Sequence, residues 1–155
     1  MNLKKFLMTF LTLSYANLAF ADEVIIGAGG FNVQRSGILQ GAIEYRGLEK
    51  LWRLKPLIGA IGNTKNGAFV YAGLNVDFPI TNNFITSINV APGFYHKGRG
   101  KDLGGAFEIK SQLELWYLLG NKYKIGAAIS HMSNAGIYKQ NPGLDNVTLQ
   151  LSVPF

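Results

Sequence analysis

Close to its C-terminus the chain reads Ser130-His131-Met132-Ser133-Asn134-Ala135-Gly136, and Asp145 follows after a turn-rich segment. A hydroxyl, an imidazole and a carboxylate are the parts of a nucleophile, a general base and an acid that orients the base, so the chemistry on offer is acyl transfer to water. Side chains of an extended segment alternate between two faces, which puts His131 and Ser133 on one face together with Ile125, Ala127 and Ile129. Asp145 has the parity of Val147 and Leu149, so it lies on the same face of the segment that returns beside the first. A developing oxyanion also needs hydrogen-bond donors, and Asn134 with the backbone N–H groups of Asn134, Ala135 and Gly136 is the adjacent supply. The bland alternative is a His and a Ser that merely hydrate at a rim. A bare His-x-Ser pattern recurs by chance; shared parity and an acid on the partner segment make it more specific.

The rest of the composition removes other chemistries. With no cysteine and two histidines among 155 residues, there is no thiol nucleophile, no disulfide frame and no zinc-thiolate cluster. Metal chemistry is not expected. The 15 basic and 9 acidic residues give a formal net charge of +6, or +4 without Lys4 and Lys5 of residues 1–21, which suits an anionic surface. No nucleic-acid recognition module is present, so nucleic acid is not an expected partner.

These residues must be positioned by something, and the chain supplies strands. Residues 1–21 read as a signal peptide: Lys4 and Lys5 precede an apolar run from Phe6 to Leu13, and Ala19-Phe20-Ala21 offers a small-x-small cleavage pattern. Ser14, Tyr15 and Asn17 interrupt that run short of the ~20 residues a helical span needs. Residues 22–155 then form one domain. Period-two alternation recurs through it in eight runs, near 24–33, 38–46, 54–62, 68–78, 84–95, 105–118, 123–133 and 145–155. Most exceed the usual soluble strand of ~5–6 residues and match the ~9–11 of a tilted membrane-spanning strand.

In the second run Leu39, Ile43 and Tyr45 oppose Gln40, Glu44 and Arg46; in the sixth Phe107, Ile109, Leu113, Leu115 and Tyr117 oppose Glu108, Lys110, Gln112 and Glu114. Apolar faces toward lipid and polar faces inward give an all-β, eight-stranded antiparallel transmembrane β-barrel of the bacterial outer membrane. A barrel of that size is filled by its own side chains, so Glu44, Arg46, Asp77, Glu108, Lys110 and Glu114 are expected to pair inside it. The first and third Gly-rich runs leave their parity open. The two longest connections, Lys97 to Gly104 and Asn134 to Leu144, follow odd-numbered strands and mark the extracellular end. His131, Ser133 and Asp145 then reach the outer-leaflet rim together. Lys97, Arg99 and Lys101 form a basic outer loop that is either suited to phosphate or simply a solvated loop with ordinary surface charge, with His96 beside it as a rim residue.

The stretch from His131 to Gly136, followed by Asn141-Pro142-Gly143-Leu144 and a short terminal strand, resembles the outer-membrane lipid A 3-O-deacylases of the PagL type. The specific match covers about the last 25 residues; the preceding hundred or so resemble the family in size, strand count and exported, cysteine-free character. The resemblance implies His131 as base, Ser133 as nucleophile and Asn134 as oxyanion contributor. The family carries Glu where this chain has Asp145, an arm one methylene shorter, and Asp102 is the fallback acid. The implied reaction is cofactor-free hydrolysis of the ester-linked 3-hydroxyacyl chain at position 3 of lipid A, with lipopolysaccharide and outer-membrane lipid as partners and a homodimer left open. The competing readings are a non-enzymatic adhesion or structural barrel and a soluble periplasmic lipid carrier.

Overall fold

A computed structural model describes residues 22–34, 37–49, 51–120 and 122–155, so the expected signal peptide lies outside the described residues. Eight strands run in chain order: β1 (Glu23–Gly30), β2 (Leu39–Arg46), β3 (Leu54–Asn63), β4 (Ala68–Pro79), β5 (Phe84–His96), β6 (Phe107–Leu118), β7 (Lys124–Ser133) and β8 (Leu144–Pro154). Each pairs antiparallel with its neighbours, and β1 pairs with β8 to close the barrel. Closure removes the free edges that an open sheet would offer to other chains.

Alternation decides which face is which. Leu39, Ile43, Val70, Leu74, Ile88, Leu113, Leu115, Ile129 and Leu149 all point outward and are exposed, while Gln40, Glu44, Arg46, Asn75, Asn89 and Glu114 are buried in the lumen. A soluble protein does not leave so continuous an apolar surface uncovered; in a membrane barrel it meets lipid. The ambiguous third strand resolves the same way, with Ile58 outward and Lys55, Leu57 and Ile61 inward. Exposed Tyr45, Trp52, Phe78, Phe84, Tyr117, Tyr123 and Phe155 gather at the end away from Ser133, in the manner of an interfacial aromatic girdle.

The lumen holds buried, paired side chains. Arg46 reaches Glu44 at 2.6 Å and Glu114 through two guanidinium nitrogens. Lys110 Nζ lies 3.2 Å from Glu44, which also accepts a hydrogen bond from the Tyr71 hydroxyl at 2.9 Å. Lower down, Lys55 pairs with Asp77 at 2.7 Å and Lys124 with Glu23 at 2.6 Å. One expectation fails: Glu108 is fully buried in the lumen, but neither carboxylate oxygen has a hydrogen-bond partner among the described residues. Above the ionic layer, Phe31, Phe69, Tyr71, Tyr95, Leu103, Met132 and Leu144 form an apolar plug. Strand bounds differ slightly from the sequence reading. The first strand stops at Gly30, because the chain turns at Asn32 with φ of 52°, and the sixth starts at Phe107, after Gly104 with φ of 94°.

Candidate active site

His131 on β7 and Asp145 on β8 are direct cross-strand partners. Cβ atoms of such pairs stand ~5 Å apart, so an aspartate is long enough to reach an imidazole opposite it. Here His131 Nδ1 lies 2.7 Å from Asp145 Oδ1. The short arm is therefore compensated by register: no extra methylene is needed when the two residues face each other across the ladder. Both side chains are open to the outside, 54% and 44% exposed, and point away from the lumen. The second carboxylate oxygen, Oδ2, accepts a hydrogen bond from Gln34 Nε2 at 2.8 Å.

Ser133 ends β7 on the same face as His131, two residues further toward the loops and opposite Ile109. Its hydroxyl has no hydrogen bond among the described residues, to His131 or otherwise. Catalytic hydrogen bonds are often long before substrate binds and shorten in the complex.

Behind the imidazole stands Gly143, whose φ is 55°. A Cβ built at that position would lie 2.8 Å from His131 Cε1 and 3.1 Å from Nε2, so the β7–β8 loop can lie against the ring only with glycine there. The same loop is stitched to the β5–β6 loop. Asn134 Nδ2 donates to the Leu103 carbonyl at 2.7 Å and to the Gln140 carbonyl at 2.8 Å, and the Phe107 N–H donates to the Tyr138 hydroxyl at 3.1 Å.

That stitching reassigns Asn134. Period two turns it to the face opposite Ser133; it is buried, and both amide hydrogens are spent on the two loop carbonyls. The structure does not bring its side chain to the face that carries His131 and Ser133. Two backbone donors of the turn are also taken: Asn134 N–H by Asn141 Oδ1 at 3.0 Å and Gly136 N–H by Asn134 Oδ1 at 3.0 Å. The Ala135 N–H has no partner among the described residues. Ala135 is held at φ of 53°, a left-handed conformation that costs a non-glycine residue roughly 1–2 kcal/mol.

The basic loop is likewise less uniform than its sequence. Lys97 Nζ pairs with Asp102 at 2.6 Å, and this hydrogen bond, with one from the Gly104 N–H, holds the Asp102 carboxyl below the usual carboxylate range. Asp102 is thus engaged by Lys97, while Asp145 serves His131. Lys101 Nζ approaches the Pro142 carbonyl at 3.5 Å, next to the glycine that backs the imidazole. Arg99 donates its backbone N–H to Lys65 O at 2.8 Å and braces the neighbouring loop. His96 ends β5 as an exposed rim residue opposite Ala68.

The sequence reading missed what lies below the imidazole. In the same ladder row as His131 and Asp145, β6 carries Ser111; in the next row stand Leu113, Ile129 and Val147. The small Ser111 among larger neighbours leaves an open groove of about 550 Å³ on the barrel's outer surface, headed by His131 and Asp145 and floored by those apolar residues with Ile88. Parity along the sixth run could have placed Ser111 there, but the row alignment needs the register. Gln34 carried no signal at all, since only the tertiary fold brings its loop to β8. Among the described residues no cluster of His, Asp and Glu is suited to a metal ion.

Comparison with known proteins adds the family. The lipid A 3-O-deacylase (PagL) family matches residues 18–154. A lipid A deacylase PagL of Bordetella bronchiseptica is 44% identical over 55 residues, which span 36% of this chain and 31% of that protein, so the match covers about a third of the relative's length. The crystal structure of the outer-membrane enzyme PagL superposes with a TM-score of 0.65 at 16% identity, covering 86% of this chain and 99% of that one. A de novo designed transmembrane β-barrel superposes almost as well, at 0.63 with 9% identity over 90% of this chain and 98% of its own. Those two likenesses establish the fold, and a fold does not assign chemistry. The family match over nearly the whole barrel carries the assignment: this chain belongs to the lipid A 3-O-deacylase (PagL) family.

Proposed function

We propose that this protein is an outer-membrane esterase that hydrolyses the ester-linked 3-hydroxyacyl chain at position 3 of lipid A, acting from the lipid-facing side of the barrel in the outer leaflet. One observation carries the reading: a His131–Asp145 pair at 2.7 Å, open to the membrane, at the head of an apolar groove and two residues from a hydroxyl on the same strand face. A lumenal site would be inaccessible, because the lumen is packed with ion pairs and aromatic side chains. A site on the outer face meets its substrate by lateral diffusion.

On this reading the steps are those of a serine esterase. Asp145 accepts the Nδ1–H of His131, which fixes the tautomer and leaves the Nε2 lone pair free to take the Ser133 proton. The Ser133 oxygen attacks the ester carbonyl, the sugar oxygen leaves with the proton held on His131, and water activated by the same imidazole releases the 3-hydroxy fatty acid. The Ala135 N–H, the donor of the turn not already engaged, serves the oxyanion, while Asn134 and Gly136 build the turn that presents it. The acyl chain lies in the groove over Leu113, Ile129 and Val147, and Lys101, tied to the catalytic loop through Pro142, holds a lipid A phosphate. No cofactor is required.

The test is mass spectrometry of lipid A from cells making this protein or its Ser133→Ala variant. The wild type is expected to remove one 3-hydroxyacyl chain and the variant none, both showing the heat-modifiable migration of a folded barrel. Equal release by the two would remove Ser133 from the mechanism.

A further inference from the structure

We infer that Gln34, in the β1–β2 loop, is a positioning residue for the reaction: it holds the Asp145 carboxylate from the side opposite His131 and so keeps the imidazole aimed. The inference rests on the esterase reading above, and it concerns a residue that neither strand of the His-Ser-Asp constellation contains.

The geometry has two parts. The first is the contact itself. Asp145 uses Oδ1 for His131 Nδ1 at 2.7 Å and Oδ2 for Gln34 Nε2 at 2.8 Å. A carboxylate on a single bond to its Cβ can swing about χ2; with a donor on each oxygen its plane is fixed, and the acceptor for the imidazole N–H stays in one place. An exposed aspartate with one partner would lose much of that order to water, so the second donor matters more here than it would in a buried triad.

The second part is why Gln34 is available to do this. The chain before it is anchored to β8 at consecutive residues: the Val33 N–H donates to the Asp145 carbonyl at 2.9 Å, and the Asn32 N–H to Asn146 Oδ1 at 3.0 Å. Phe31, fully buried, donates its N–H to Ile38 O at 2.9 Å and stacks on Tyr95 with ring centroids 6.2 Å apart. The left-handed φ of 52° at Asn32 then turns the chain so that Gln34 faces the same carboxylate. A surface glutamine at the end of a freely moving loop would have no reason to reach it; this one hangs from the residue it contacts. An amide is also the suitable donor. A lysine or arginine would compete with His131 for the carboxylate charge, whereas a neutral N–H orients the group and leaves its charge to the imidazolium that forms during turnover.

The experiment uses the full-length protein in detergent with mixed micelles of purified lipid A. Gln34→Ala is expected to lower kcat by about 2- to 10-fold, the fold-change of one net hydrogen bond, with KM within about twofold. In an Asp145→Ala background the same substitution is expected to cost nothing further, because the group it acts through is gone. Gln34→Glu, which sets a like charge against Asp145, is expected to cost more than Gln34→Ala. A readout independent of turnover is the ¹⁵N spectrum of the neutral imidazoles. The chain has two histidines, so a His96→Gln variant assigns His131, and Gln34→Ala should lower the Nδ1–H tautomer fraction of His131 but leave that of His96 unchanged. Equal losses in the two backgrounds, or wild-type kcat and tautomer in Gln34→Ala, overturn the inference. If the wild type releases no fatty acid, the esterase reading falls, while the tautomer measurement still decides whether Gln34 orders the pair.

Discussion

The lumen and the outer rim of this barrel use the same groups to opposite ends. Inside, Arg46 and Glu114 are wholly buried and bonded through two nitrogens, and Glu44 ties Arg46 to Lys110 and Tyr71. Outside, His131 and Asp145 form a pair of similar length with about half of each side chain open. Buried pairs cannot be broken cheaply, since removing one partner strands an uncompensated charge, and they suit a group whose task is to stay put. An exposed pair contributes little to stability but can be approached, and its imidazole can gain and lose a proton during turnover. The barrel thus keeps its lumenal charges away from the membrane and leaves the His131–Asp145 pair, to which the proposed function gives the chemistry, open to it.

That contrast can be broken from either side. On the proposed mechanism Ser133→Ala should have the largest effect, a loss of at least ~10⁴-fold in fatty-acid release with unchanged migration of the folded barrel, since removal of a serine nucleophile leaves only residual catalysis. Arg46→Ala should do the reverse: it leaves Glu114 buried without its cation and Glu44 with Lys110 alone, at about 3–5 kcal/mol of stability, while activity per folded molecule is retained. Denaturant midpoints in detergent check the first part and turnover normalised to folded barrel the second; an active-site loss in Arg46→Ala would mean that lumen and rim are coupled. Asp145→Ala is expected to lower kcat by roughly 10- to 1,000-fold, and Asp145→Glu to recover most of it if the longer arm still meets His131 across the ladder.

Gly143→Ala sharpens the comparison further. Its methyl group would push the imidazole from the 2.7 Å contact, so kcat should fall by about tenfold or more, and the left-handed φ of 55° should cost the alanine roughly 1–2 kcal/mol of stability, both measured in the same two assays. The smallest effect is expected at the exposed Lys97–Asp102 pair. Lys97→Ala should change turnover by less than about twofold at neutral pH. Because Asp102 has its carboxyl lowered in the folded state, whatever order the pair lends its loop is present above the ordinary carboxylate range and is lost as pH falls through the lowered value. Amide protection factors of the loop at acid against neutral pH read this, and in Lys97→Ala the pH dependence should shrink to the part that the Gly104 N–H leaves.

Much of this molecule is written as alternation. A strand has period two, so Glu44 and Arg46 against Ile43 and Tyr45, or His131 and Ser133 with Ile129, declare their faces from spacing alone. Eight such runs of membrane-spanning length leave few architectures other than a closed barrel, and the proposed nucleophile, base and acid are visible as residue types on one face. What alternation does not contain is register and loop path. Only the pairing of β7 with β8 sets His131 directly opposite Asp145, so that the shorter acid suffices, and only the row alignment with β6 opens the groove beside Ser111. Asn134 has the chemistry of an oxyanion donor, yet loop packing spends it on Leu103 and Gln140. Gln34 gains its place because β1 and β8 meet across a sequence separation of more than a hundred residues. Local patterning determines which side of a strand a residue occupies, because backbone geometry repeats every two residues; which other side chain it meets is decided by closure, because hydrogen-bond register between distant strands is a property of the whole barrel.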